Sequence, residues 1–111
     1  MKTALSKDVC LFLDDDAAFI DWCARNPDGF FWNCGRNQAG DVVHVYTLHS
    51  AIHKGKMCPH FRNRNYASGF ENNLTTTAYC KVGSVNRKSL EEWARSHQGD
   101  FLNCSSCISL P

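Results

Sequence analysis

Two short segments, far apart in the chain, carry an unusual concentration of histidine and cysteine. Residues 47–60 read TLHSAIHKGKMCPH and hold three of the five histidines, while residues 103–107 read NCSSC. H-x3-H and C-x2-C are spacings at which two side chains bind the same metal ion. If both pairs bind one ion, the middle of the chain and its C-terminal segment must be adjacent in the fold.

The two pairs together supply His49, His53, Cys104 and Cys107, a tetrahedral set of two nitrogens and two sulfurs. On an extended strand the two histidines would lie about 13 Å apart, so the shared ion requires a helical turn at this point. Sulfur with imidazole favours Zn²⁺ among the common metals. Four protein ligands leave no position for water, so the sequence predicts a structural zinc.

Other interpretations of these segments remain open. Cys58 and His60, in the same loop, could replace either histidine of the predicted set. The histidines could also be solvated loop residues and the two late cysteines ordinary small residues. A disulfide between Cys104 and Cys107 is a further alternative.

Length and composition favour one domain, residues 1–111, in a reducing compartment. The chain is 43% hydrophobic and 21% charged, as is common for globular domains. The early run VCLFL is too short for a signal peptide or a membrane span, so we expect a cytoplasmic protein without membrane contact. There, seven cysteines favour thiols and metal ligands over disulfides. We expect Cys23, Cys34 and Cys80 to pack as small hydrophobic residues.

Local patterns predict an α+β fold. DDDAAFIDWCARNPDG predicts a helix from about Asp15 to Arg25 that begins at the aspartates. FFWNC and VVHVYTLH predict a hairpin, and TTTAYCKVGS a third strand near 75–84. In SLEEWARSHQGD, Ser89 and Glu92 form a capping-box pattern and Gly99 ends the helix. The expected fold is a three-stranded antiparallel sheet with two helices, in the order α-β-β-loop-β-α, stapled by a structural zinc.

The long loop between the second and third predicted strands contains a basic and aromatic segment, HKGKMCPHFRNRNY. Cations contact phosphates and aromatic rings stack on exposed bases, so the segment predicts binding of DNA or RNA. The residues that would do so are Lys54, Lys56, Arg62, Arg64 and Tyr66. Because the net charge is only +1, such binding requires this local patch.

Two further functions stay open beside nucleic-acid binding. Exposed aromatic residues could make the chain a protein-interaction or regulatory module with a protein partner. A small metal-dependent nuclease with His44 or His60 as base is the weaker alternative. No nucleophile elbow, phosphate-binding loop or H-E-x-x-H pattern is present, so we assign no catalytic residue and do not expect an enzyme.

The order of these segments resembles a group of small bacterial domains with zinc-ribbon-like ligands. DDDAAFIDWCARNPDGFFWNC, VYTLHSAIH, TTTAYCKV, LEEWA and the late C-x2-C carry the resemblance over nearly the whole chain. That group has an NPDGF turn and a cysteine four residues after the LH histidine, where this chain has His53. The resemblance therefore implies His53, rather than His60, as a ligand, and it implies no activity.

Overall fold

A six-stranded mixed sheet forms the centre of the fold. The computed structural model describes residues 2–5, 8–52, 54–55 and 74–108. In chain order the elements are β1 (Lys2–Ala4), β2 (Cys10–Phe12), α1 (Asp16–Arg25), β3 (Phe30–Arg36), β4 (Val42–Ser50), β5 (Tyr79–Ser84), α2 (Arg87–Ala94) and β6 (Gly99–Asn103). The strand order across the sheet is β1-β2-β5-β3-β4-β6. Its neighbouring pairs are antiparallel except β4 with β6, which are parallel.

The two helices cover opposite faces of the sheet. Successive side chains of a strand point to opposite faces. In β3 the ring of Phe31 packs against Phe19 of α1, with the ring centroids 4.9 Å apart. The next residue, Trp32, donates a hydrogen bond from its indole Nε1 to the carbonyl oxygen of Leu90 in α2, at 3.1 Å. We therefore call these two sides the α1 face and the α2 face.

Apolar side chains are buried on both faces of the sheet. The largest of those that are completely buried are Phe12, Phe19, Phe31, Leu48 and Leu90. The helices that cover them are short, with ten residues in α1 and eight in α2, whereas a membrane span requires about 20. Among the residues described above, no helix is long and apolar enough to cross a membrane.

The aspartates before α1 begin the helix, as the sequence predicts. The Asp15 carboxylate accepts a hydrogen bond from the backbone N–H of Ala18 at 3.0 Å, and this bond lowers the pKa of the Asp15 carboxyl. Asp16 is buried, and its carboxylate accepts hydrogen bonds from the backbone N–H of Leu74 and from the N–H and hydroxyl of Thr75. The carboxylate of Asp16 thus anchors the chain ahead of β5 to the start of α1.

Lys81 anchors the same segment from the sheet. Its side chain lies in β5 and is only 2% exposed. The Nζ atom donates to the Asn33 side-chain oxygen at 2.8 Å and to the Leu74 carbonyl at 2.7 Å. The N–H and C=O of Leu74 are therefore both bound by buried charged side chains, which satisfies backbone groups that would otherwise be costly to bury.

The α+β class is confirmed, but the prediction of a three-stranded antiparallel sheet in the order α-β-β-loop-β-α was wrong. The three predicted strands are β3, β4 and β5. The missed strands are β1 and β2, of three residues each, and β6. β1 and β2 are too short to show an alternating pattern, and β6, exposed at four of its five positions, was interpreted as a tail.

Helix α2 begins and ends earlier than predicted. Its N-cap is Asn86, whose side chain accepts from the N–H of Lys88 at 3.0 Å. Ser89 instead donates its hydroxyl to the Asp8 carboxylate at 2.7 Å, so the capping-box prediction was wrong. The helix ends at Ala94, and Gly99 is the first residue of β6 rather than the end of a helix.

The buried carboxylate of Asp16 should be important for stability. We expect Asp16→Ala to lower the free energy of unfolding by about 3 kcal/mol, because it leaves buried N–H and hydroxyl donors without their acceptor. Asp21→Ala is the matched control, since Asp21 is exposed on the same helix and forms only a surface ion pair with Arg25. Its removal should cost at most about 0.5 kcal/mol. Urea denaturation of both variants measures the difference, and equal stabilities would contradict this role.

Candidate metal centre

The parallel pairing of β6 with β4 brings the C-terminal cysteines to the middle of the chain. Leu48 of β4 is the register partner of Asn103 in β6, and the N–H of Cys104 donates to the Leu48 carbonyl at 2.9 Å. The strands approach so closely at the start of β6 that a Cβ on Gly99 would overlap the carbonyl oxygen of Val45. Glycine at position 99 therefore allows the pairing that places Cys104 beside the end of β4.

A tight turn over residues 104–107 places the sulfur atoms of both cysteines close to His49. The N–H of Ile108 donates to the carbonyl of Cys104 at 2.9 Å and closes the turn. Ser50, the last residue of β4, fixes the turn twice. Its hydroxyl donates to the Cys107 carbonyl at 2.8 Å, and its backbone N–H donates to the Cys107 sulfur at 3.3 Å. An N–H donor to sulfur stabilises a thiolate, which is the form that binds metal.

Three of the four predicted ligands come together. The ligand atoms of His49, Cys104 and Cys107 all lie within 4.8 Å of one another. The Cys107 Sγ lies 3.6 Å from the His49 Nδ1. Zn–S and Zn–N bonds of about 2.3 and 2.0–2.1 Å at a tetrahedral angle place sulfur and nitrogen about 3.6 Å apart. This separation matches an edge of a zinc tetrahedron and also lies within the range of a cysteine–histidine hydrogen bond, so the cluster could hold a metal ion.

The cluster is enclosed by protein. His49 is 3% exposed, Cys104 4% and Cys107 2%. The imidazole stacks on the ring of Phe31, its partner across the β3–β4 ladder, with centroids 5.2 Å apart and an interplanar angle of 24°. This stacking fixes the ring on the α1 face. The three polar side chains thus lie in a pre-oriented cluster within the protein interior.

The position of His49 corrects the predicted backbone. β4 continues through Ser50, which pairs with Phe30, so no helical turn begins at His49. The prediction of a helical turn was wrong because the pairing of β4 with β3 continues to Ser50, one residue beyond His49. His53 lies outside the described residues, as do the alternative ligands Cys58 and His60.

Cys104 and Cys107 are both free thiols, so the structure does not contain the disulfide considered as an alternative.

The other described cysteines lie outside the candidate metal cluster. Burial raises the pKa of Cys23 to about 12. Cys34 and Cys80 face each other across β3 and β5 and are both fully buried. A hydrogen bond with Cys80, together with burial, raises the pKa of Cys34 well above its ordinary value. These thiols pack as expected for small apolar residues.

Only the start of the predicted nucleic-acid segment can be placed. Lys54 is exposed and has a positive φ of 53°, and Gly55 follows with a φ of 78°. The remaining residues proposed for this role, Lys56, Arg62, Arg64 and Tyr66, lie outside the described residues. His44, considered as a nuclease base, lies on β4 with its Nε2 3.5 Å from the Asp100 carboxylate.

Sequence reasoning missed the residues that support the cluster. Phe31 and Ser50 are positioned by strand register, and their spacing in the sequence gives no signal of contact with a ligand. Comparison of the chain with models of protein families, with curated proteins and with solved structures finds no match. The resemblance to small bacterial domains therefore stays an expectation, and functional inference rests on the geometry.

Proposed function

We propose that this protein is a small zinc-binding module in which Zn²⁺ binds His49, Cys104 and Cys107. The observation that carries this proposal is the convergence of one imidazole and two thiols, all buried, with a sulfur–nitrogen separation of 3.6 Å. A donor set of two sulfurs and one nitrogen favours zinc among the common metals. Thiolate ligands persist in a reducing compartment, and we propose the bacterial cytoplasm.

The role proposed for the zinc is structural. Among the described residues, β6 is followed by the turn over residues 104–107, and peripheral segments with few contacts ordinarily fray. An ion bound to both β4 and this turn would hold the C-terminal segment against the sheet. His53 remains our proposed fourth ligand, since four protein ligands close the site to water. We therefore assign no catalytic role to the metal.

The proposed activity is binding of DNA or RNA by the segment that follows the metal centre. Ser50 is hydrogen-bonded to Cys107, and the exposed Lys54 follows it closely in sequence. Zinc at this point would fix the base of the loop that carries Arg62, Arg64 and Tyr66. Cations and an aromatic ring on a loop with a fixed base suit a flexible single strand.

A protein-interaction module is the second candidate. Phe101 and Leu102 are adjacent on β6 and are 43% and 57% exposed. β6 is also an edge of the described sheet, where backbone groups are available for another chain. Salt dependence separates the two functions, because phosphate binding weakens steeply with salt and an apolar contact does not.

Replacing a proposed ligand should remove the metal and destabilise the fold. Metal at about a thousandfold above its Kd adds about 4 kcal/mol to the free energy of unfolding. We expect Cys104→Ala to lose that stabilisation and to contain no zinc by native mass spectrometry. Cys10→Ala is the control, since Cys10 is a half-buried thiol of β2 outside the cluster. A Cys104→Ala protein that keeps one zinc per chain and the parent melting temperature would refute the assignment.

Removing two cations from the loop should weaken nucleic-acid binding without affecting zinc. For Arg62→Ala with Arg64→Ala, we expect about tenfold weaker binding of labelled single-stranded RNA or DNA. The slope of log K against log salt should fall by about 1.4, since each phosphate contact contributes about 0.7. Fluorescence anisotropy at several salt concentrations measures both quantities.

The control for this experiment is Arg25→Ala with Lys88→Ala, which removes the same charge from exposed positions on α1 and α2. This pair should bind like the parent protein. If the two double variants behave alike, the loop is not the nucleic-acid site.

A further inference from the structure

A cavity of about 410 Å³ lies on the α2 face, between helix α2 and strands β3, β4 and β6. Trp32, Leu48 and Phe101 supply its apolar wall, and Arg87, Arg95 and His97 are among its polar lining residues. Small-molecule sites typically measure about 300–1,000 Å³ and combine apolar walls with a few placed polar groups. The cavity has the size and the composition of such a site.

Arg87 is held in place at the cavity. Its Nη2 donates to the Asn103 side-chain oxygen at 3.2 Å, and its Nε lies 3.5 Å from the Glu91 carboxylate. Its guanidinium carbon also lies 5.8 Å from the ring centroid of Phe30. These contacts orient the guanidinium at the cavity and so reduce the conformational freedom that it loses when it binds an anion.

The charge of the cavity lining is positive. Arg87 and Arg95 are opposed by a single carboxylate, that of Glu91, which already faces Arg87. Arg95 is exposed, and among the described residues it forms no ion pair. Two guanidinium groups with one acid favour an anionic ligand, for which planar donors suit phosphate or carboxylate oxygens.

Phe101 supplies a partly exposed aromatic wall. Its ring meets Trp32 edge-on, with centroids 6.2 Å apart, and the residue is 43% exposed. Its backbone has a positive φ of 53°, which is uncommon for a bulky residue and costs conformational energy. This backbone conformation occurs where β6 shifts register against β4.

We propose that this cavity binds a small anion with a flat aromatic body. The anionic group, phosphate or carboxylate, binds Arg87 and Arg95, and the body lies against Trp32, Leu48 and Phe101. A mononucleotide and an aromatic acid both have this chemistry. The arginines account for binding of the anionic group, and the apolar wall accounts for binding of the flat body. Because the cavity has both, we expect a ligand that carries both groups.

This site is separate from the metal centre. Leu48 and His49 are consecutive in β4, so their side chains lie on opposite faces of the sheet. The anion site therefore uses none of the proposed metal ligands and no residue of the loop that begins at Lys54, although β6 contributes to both sites.

The test is a titration of the zinc-loaded full chain, followed by NMR. The probes are adenosine monophosphate and phenylacetate, with adenosine and inorganic phosphate as half-ligand controls. The indole N–H of Trp32 reports on the cavity, and that of Trp22, on α1 at the opposite face, is the internal control. We expect saturable shifts of the Trp32 signal with a Kd of about 1 mM or lower for at least one probe.

Two variants locate the anion. We expect Arg87→Gln and Arg95→Gln each to weaken binding about tenfold, and Arg25→Gln on α1 to leave it unchanged. Binding of the phosphate probe alone would identify phosphate as the group recognised, and binding of phenylacetate alone would identify carboxylate. No saturable shift of Trp32 with either probe would overturn the proposal. Shifts as large with inorganic phosphate as with adenosine monophosphate would overturn the role of the apolar wall.

Discussion

The pairing of β6 with β4 is the contact on which both candidate sites depend. Leu48 and Asn103 are register partners in the two strands and both line the cavity on the α2 face. The residues that follow them, His49 and Cys104, contribute to the cluster on the α1 face. Because side chains alternate along a strand, a slip of one residue would exchange these faces and disrupt both sites. The absence of a side chain at Gly99 is what allows this register.

The structural metal proposed here would stabilise the placement of β6. β6 is a five-residue edge strand, paired only with β4 among the described strands, and four of its positions are exposed. Such a strand buries little apolar surface, so backbone hydrogen bonds alone give it limited stability. The bonds from Ser50 to Cys107, together with an ion shared by His49 and the cysteines, would supply the missing anchoring. Metal binding and the placement of β6 should therefore be thermodynamically linked.

The parts of this structure that local pattern determines could be predicted from the sequence. Helix α1 has its N-cap at Asp15, and strands β3, β4 and β5 follow runs of aromatic and β-branched residues. Strands β2 and β6 pair with segments distant in the sequence, and β1 pairs with the neighbouring β2. All three strands are short and leave no periodic signal. The Asn86 cap was missed because Ser89 has a capping pattern, yet its hydroxyl binds Asp8. Local signals cannot rank such competing partners.

The residues of the candidate metal cluster were predictable from the sequence for a different reason. C-x2-C spacing is a property of the ligand geometry itself, so Cys104 and Cys107 could be paired without knowledge of the fold. The backbone conformation at His49 could not be predicted in this way, because the residue at which β4 ends depends on its pairing with β3. The stacking of Phe31 and the bonds from Ser50 are likewise consequences of tertiary packing.

X-ray absorption at the zinc edge of the purified, zinc-loaded protein tests the central claim most directly. A site formed by His49, Cys104 and Cys107 predicts two sulfur neighbours at about 2.3 Å and nitrogen at about 2.0–2.1 Å. A first shell of oxygen and nitrogen alone, or a folded protein that retains no zinc after gel filtration, would contradict the account.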